Sequence, residues 1–347
     1  MGLLAYSGIT TKVRAMEGRL LTEAQLQQMA SLEDVRSAAD FLKQQPAYQD
    51  IFAGLDDTML HRGYIEQLLT GSMYRDFTSL YRFSSLSQRR FLDIYFMHYE
   101  IAVIKQVLRH LLGQQSQAPD MTRFREFFRQ HSRLDPVALS QAGNMQEFLD
   151  RLEGTVYGPL FSRMKDGPKY GLFDYESRLD LFYLKSMWTA RTKLLPKKEQ
   201  KILAECFGPR LDLLNIQWIY RARYYYNLPE ADTLALLIPI RYKLRPAQVT
   251  RLLEAPDREA FAAAIRSTAY GRYREVKELN APDAERLHRQ MLDRIYSKTI
   301  RKYPYSIAIL DAYLYFKARE LHQIITIIEG IRYGLKPDEI IRLAAKQ

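Results

Sequence analysis

Catalysis needs titratable or nucleophilic side chains within reach of one another, and this chain offers few. Its six histidines stand at 61, 98, 110, 131, 288 and 322, without the short spacings that hold zinc. His322 lies near Glu320 on an expected helix, but residues two apart on a helix point to different sides. The single cysteine, Cys206 in Ala204-Glu205-Cys206-Phe207, cannot form an internal disulfide, so it reads as a buried or half-buried structural thiol in a reducing compartment. The sequence has no Gly-x-x-x-x-Gly-Lys-Ser/Thr phosphate loop and no His-Glu-x-x-His. Neither an enzyme nor a cofactor or metal is expected.

Three acids are more telling. Glu100 precedes Ile101 and Ile104, Asp212 precedes Leu213 and Ile216, and Glu320 precedes Leu321 and Ile324. One reading makes them helix-start acids favoured by the helix dipole, or partners of arginines such as Arg210 or Arg319. The other makes them partner-binding residues that meet the basic groups of another protein. A second cluster, Tyr220, Tyr224, Tyr225 and Tyr226 with Arg221 and Arg223 between them, has the composition of a nucleic-acid surface. Its period argues for core plus a basic flank, because Ile216, Tyr220 and Tyr224 continue one apolar helix face.

The elements carrying these residues read as helices almost throughout. In Glu100 to Leu111 the apolar positions 101, 104, 108 and 111 recur at steps of three and four. Breakers separate such stretches at Gly113 to Pro119, Gly167 to Gly171, Pro229 and Asn280 to Pro282, and no alternating strand pattern appears.

The acids also belong to a larger repetition with a period of about 110 residues. A helix-opening marker reads Leu21-Thr22-Glu23-Ala24-Gln25-Leu26, Leu134-Asp135-Pro136-Val137-Ala138-Leu139 and Leu244-Arg245-Pro246-Ala247-Gln248-Val249. Thr22 and Asp135 are good N-cap types, and Pro136 and Pro246 suit a first helical turn. A second marker places a tyrosine after a small residue, at Tyr48, Tyr157 and Tyr270, and glycine follows the last two. The acids are the third marker. A long helix carrying Met73, Met187 or Met291 lies between the second and third markers. Three ordered markers divide the chain into repeats over 1–112, 113–226 and 227–347. Leu335-Lys336-Pro337-Asp338-Glu339-Ile340 resembles the first marker, as a closed three-fold arrangement would require.

Hydrophobic residues at 47% and charged residues at 26% suit a globular chain with real cores, which argues against disorder. No run approaches the roughly 20 apolar residues that cross a bilayer; the stretch Leu234 to Ile240 is short and broken by Pro239. The start lacks a secretory signal's apolar core and the serine or threonine of a myristoylation signal, so a cytoplasmic protein is expected. The first 112 residues carry as many acids as bases, so the net charge of +11 arises after residue 113. That excess suits an acidic partner, an anionic lipid surface or nucleic acid.

The ordered set resembles the C-subunit family of V/A-type ATPases, whose eukaryotic counterpart is the d subunit of the V-ATPase. The likeness is carried by Lys317-Ala318-Arg319-Glu320-Leu321-His322-Gln323-Ile324 and by Tyr333-Gly334-Leu335-Lys336-Pro337-Asp338-Glu339-Ile340. The family's asparagine follows the acid at Asn215 in the middle copy, while Gln323 and Val103 stand there in the others. The resemblance implies an all-α fold of three similar helical subdomains in a pseudo-three-fold funnel. It also implies a non-catalytic central-stalk component, peripheral to the membrane on the cytoplasmic side, coupling the D and F shaft subunits to the proteolipid ring. On that reading Glu100, Asp212 and Glu320 are the candidate partner-binding residues, and nucleic acid is no partner. The alternative is a basic helical-repeat nucleic-acid-binding or scaffold protein.

Overall fold

In the computed structural model, which describes residues 2–55, 58, 60–115, 117–162, 170–277 and 284–345, every regular element is helical. No strand occurs among the described residues, as the apolar periodicity implies. Of the expected breakers, Gly113 ends a helix with φ +76°, and Gly171 and Pro229 stand at helix N-caps. Gly167 and the segment Asn280 to Pro282 lie outside the described residues.

The chain opens with α1 (Gly2–Glu17), α2 (Glu23–Ala30), α3 (Val35–Lys43), α4 (Gln49–Phe52) and α5 (Arg62–Phe83). Then come α6 (Leu86–Leu111), a 3-10 turn at Thr122–Phe124, α7 (Arg125–His131), α8 (Pro136–Ser140), α9 (Met145–Leu152), α10 (Gly158–Ser162) and α11 (Leu172–Leu194). The rest comprises α12 (Lys197–Tyr224), α13 (Glu230–Leu236), α14 (Pro246–Leu253), α15 (Arg258–Arg266), α16 (Arg274–Lys277), α17 (Ala284–Lys302), α18 (Ala308–Arg332) and α19 (Pro337–Ala344). Two compact units result: Met1–Ser85 with Lys197–Gln347, and Leu86–Pro196.

Local chemistry explains where the short helices begin. The Thr22 hydroxyl accepts from the Gln25 amide at 3.2 Å, and the Gln25 side chain accepts from the Thr22 amide at 2.9 Å, a reciprocal cap. Asp135 accepts from the amides of Val137 and Ala138, with Pro136 in the first turn. Pro246 likewise stands in the first turn of α14, where the N-cap Arg245 offers no capping side chain and its own amide donates to the Gln248 side chain at 2.9 Å. The next helix in each stretch starts on its own cap: Asp34, Asn144 and Asp257 accept from the amides of Ser37, Glu147 and Ala260.

One order of elements therefore recurs. A short helix leads to a second, capped short helix, then to a buried tyrosine and a single-turn helix, then to two long helices. The runs are α2 to α6, α8 to α12, and α14 to α18. Met73, Met187 and Met291 are buried on the first long helix of each run. In the smaller unit α6 packs along α11. In the larger unit α17 packs on α12, and α18 touches α1, α2, α3, α5, α17 and α19, which makes it the core helix. Its Ile309, Leu310, Leu314, Ile324 and Ile327 are buried accordingly.

Candidate functional site

Each candidate acid sits in the middle of its long helix, not at its start: Glu100 in α6, Asp212 in α12 and Glu320 in α18. Stabilisation by the helix N-terminus acts only within the first turn, so it does not account for them. What they share is a pair of targets, a tyrosine hydroxyl and the backbone that leads into a short helix.

Asp212 is fully buried and has four donors. The amide of Tyr242 reaches Oδ1 at 2.9 Å, and those of Lys243 and Leu244 reach Oδ2 at 2.6 and 3.1 Å. The Tyr270 hydroxyl donates to Oδ2 at 2.6 Å. The close approach of this backbone needs a glycine: a Cβ on Gly208, one turn before Asp212, would lie 2.5 Å from the Tyr242 ring. Asn215, the residue singled out by the family signature, brackets Ile238 in the same segment. Its side chain donates to the Ile238 carbonyl at 3.1 Å and accepts from the Ile238 amide at 2.8 Å.

Glu100 repeats the arrangement with one substitution. The Tyr157 hydroxyl donates to Oε2 at 2.7 Å, and Ser132 donates to Oε1 while accepting from the Leu134 amide at 2.8 Å. A serine thus relays the carboxylate to the helix-opening backbone. Glu320 makes the third copy: the Leu21 amide donates to Oε1 at 2.5 Å and the Tyr48 hydroxyl to Oε2 at 2.6 Å. Among the described residues, a buried cation joins only this copy. Lys317, one helical turn before Glu320, donates to Glu320 at 2.9 Å and to the Tyr48 hydroxyl at 2.8 Å, and lies 4.3 Å from the centre of the Tyr48 ring. Asp76 stands 3.9 Å from Lys317 and accepts from Tyr313 at 2.6 Å.

Burial first, and then the neighbouring carboxylate, push the hydroxyls of Tyr48, Tyr157 and Tyr270 well above the usual phenol range. All three stay protonated and act as donors. The carboxylates meet donors of this chain's own, and a partner's basic group would have to displace them. Such saturated contacts suit a latch rather than proton transfer or nucleophilic attack.

The three recurring markers of the sequence are therefore three sides of one contact, since each acid binds the tyrosine and the helix-opening segment of another stretch. The sequence singles out those nine positions but misses Ser132, Tyr242, Asp76, Tyr313 and Lys317. Lys317 left a readable signal, a lysine three residues before an acid on the same helix face.

The remaining candidates pack. Cys206 is buried, 3.6 Å from Asp311, and burial with that carboxylate raises its thiol well above the ordinary value, away from nucleophilic use. Tyr220 and Tyr224 lie with ring centres 4.9 Å apart against Phe261, and Tyr224 donates to the Asp257 carbonyl at 2.8 Å. Tyr225 and Tyr226 are exposed. No group of three or more His, Cys, Asp or Glu among the described residues could hold a metal ion. No helix among them is long and apolar enough to cross a membrane.

The family model described as ATP synthase (C/AC39) subunit matches residues 9–343. The chain belongs to that family. It is similar to the C subunit of the A-type ATP synthase of Thermococcus kodakarensis, at 24% identity over 345 residues, covering 96% of this chain and 89% of the relative. The corresponding protein of Pyrococcus horikoshii is 26% identical over 348 residues, with 97% and 90% covered. That of Desulfurococcus sp. is 24% identical over 349 residues, with 98% and 91% covered. As a member of this family of ATP synthase subunits, the chain matches along nearly its whole length, so the fold as a whole carries the likeness.

Proposed function

We propose that this chain is the non-catalytic central-stalk component of a rotary V/A-type ATPase, a coupling piece between the D and F shaft and the cytoplasmic side of the proteolipid ring. The observation that carries this reading is the set of three acid–tyrosine–backbone latches. A part that passes torque between two partners needs internal stiffness and broad surfaces, with no reacting group. Charge-assisted hydrogen bonds between buried groups supply such stiffness, because breaking one leaves a carboxylate or hydroxyl unsatisfied in the interior.

The direction of the latches supports the three-fold funnel. Glu100 takes Tyr157 of the second stretch, Asp212 takes Tyr270 of the third, and Glu320 returns to Tyr48 of the first. A cyclic order of this kind is what three similar helical subdomains closed around one axis require. Glu100, Asp212 and Glu320 then serve the partners indirectly, by holding the short helices in place against the long ones.

Purified chain mixed with the D–F complex tests the reading. Co-elution as a stable complex is expected, with no ATP hydrolysis by the chain alone. Failure to bind D–F, or nucleotide turnover that survives stringent purification, would overturn it. Replacing Glu100, Asp212 and Glu320 together should lower stability more than it weakens binding by the fraction that remains folded.

A further inference from the structure

A cavity of about 230 Å³ opens between α2, α17, α18 and α19, lined by the charged Arg289, Asp293 and Arg319 and by the apolar Leu26, Ile327 and Ile341. Two arginines and two acids line it, but the contacts among them leave guanidinium donors unmet. Arg319 pairs with Asp293 Oδ2 at 2.6 Å, and the second oxygen of Asp293 accepts from the Tyr315 hydroxyl at 2.9 Å. Both carboxylate oxygens are therefore in use. Arg289, one helical turn before Asp293, is half-buried; it feels the Asp293 charge but makes no ion-pair contact with any described residue. Its Nε, and that of Arg319, are buried without a hydrogen-bond partner. Leaving guanidinium donors dry and unmet costs free energy that folding alone does not recover.

We propose that this cavity receives one carboxylate of a protein partner, an Asp or Glu side chain on an otherwise apolar segment, with Arg289 and Arg319 as its donors. A guanidinium fork matches a planar carboxylate with two parallel hydrogen bonds. The resident Asp293, with Glu23 also lining the cavity, disfavours a dianion such as phosphate. The apolar wall of Leu26, Ile327 and Ile341 suits the stem of a side chain, which a free inorganic anion lacks. A site held incomplete in the free protein and completed on assembly also places burial energy where association uses it.

The test uses the full chain and, as probe, the D–F complex, and in that respect it rests on the shaft reading above. Arg289→Met removes a half-buried charge that makes no ion-pair contact with any described residue, so the melting temperature of the free protein should stay level or rise. Its affinity for D–F should fall by about tenfold or more. Arg289→Lys, a point charge without the fork, should fall between the two. Gln323→Glu, which lines the cavity one turn beyond Arg319, supplies an internal carboxylate and should also weaken binding without lowering stability. Unchanged binding by both Arg289→Met and Gln323→Glu overturns the proposal while leaving the shaft reading standing. A melting temperature several degrees lower for Arg289→Met, with binding intact, would assign the guanidinium to the fold instead. Wild-type chain that ignores D–F sinks the shaft reading, and this inference with it.

Discussion

Among single residues, Asp212 concentrates the most hydrogen-bond chemistry, with three backbone amides and one hydroxyl on two oxygens. Removing it strands all four donors inside the protein, so Asp212→Ala should cost more than about 3 kcal/mol in urea unfolding. Tyr270→Phe leaves three amides on the carboxylate and should cost only about 1–2 kcal/mol. Equal costs would mean that the hydroxyl, not the amide run, carries the latch. A second residue sets a pH dependence. His288 has a buried Nε2 with no hydrogen-bond partner, although the residue as a whole is only half-buried. Burial first, then Arg210 and Arg221, pull it from its ordinary value of 6.5 to about 3. Between those values the unfolded chain binds a proton that the folded chain refuses, so stability falls as the pH drops through that window. His288→Leu should flatten this part of the stability profile, by a few kcal/mol at most. The acids, tyrosines and helix-opening residues were legible because each recurs three times. Which tyrosine an acid grips was not, because the partner lies more than 50 residues further on, or at the far end of the chain, and local spacing carries no trace of it.

The helices themselves were legible from period and caps, and their lengths less so. Glu100 reads as the head of a helix because a clean apolar stripe begins at Ile101, yet α6 starts at Leu86. Its first half mixes Arg89, Arg90 and Asp93 with the buried Phe91, Tyr95 and Phe96, and that polar admixture hides the continuity. The caps Asp34, Asn144 and Asp257 carry ordinary helix-start chemistry that went unread beside the stronger repeat. Helix α12 also shows where element and site conflict. Gly208 lies in its interior, where alanine would gain about 1 kcal/mol of helix propensity. The Cβ would nevertheless meet the Tyr242 ring at 2.5 Å, and Tyr242 brings the first amide to Asp212. Gly208→Ala should therefore destabilise despite the better helix former. A gain in melting temperature would show that the ring can move without breaking the latch.

For the whole molecule, the last long helix returns to the beginning of the chain, where Glu320 meets Tyr48 and the Leu21 amide. Lys317 makes that latch ionic. Lys317→Met leaves Glu320 and Asp76 without their buried cation and should cost about 3–5 kcal/mol. Amide hydrogen exchange should then quicken in α2, α3 and α4 while α6 to α11 keep their protection, since those belong to the other compact unit. Uniform loss of protection would mean that the two units unfold as one. The same latch also fixes an order of events during biosynthesis. Tyr48 leaves the ribosome early, but the carboxylate it needs follows 272 residues later. At roughly 5–20 residues per second that interval is tens of seconds or less, during which the segment from α2 to α4 waits with its tyrosine and helix-opening backbone unmatched. Glu100 and Tyr157, only 57 residues apart, can meet long before translation ends. The nascent chain thus acquires its middle before it can finish its beginning, and the segment from α2 to α4 is the part most exposed to chaperones and proteases until the last helices arrive.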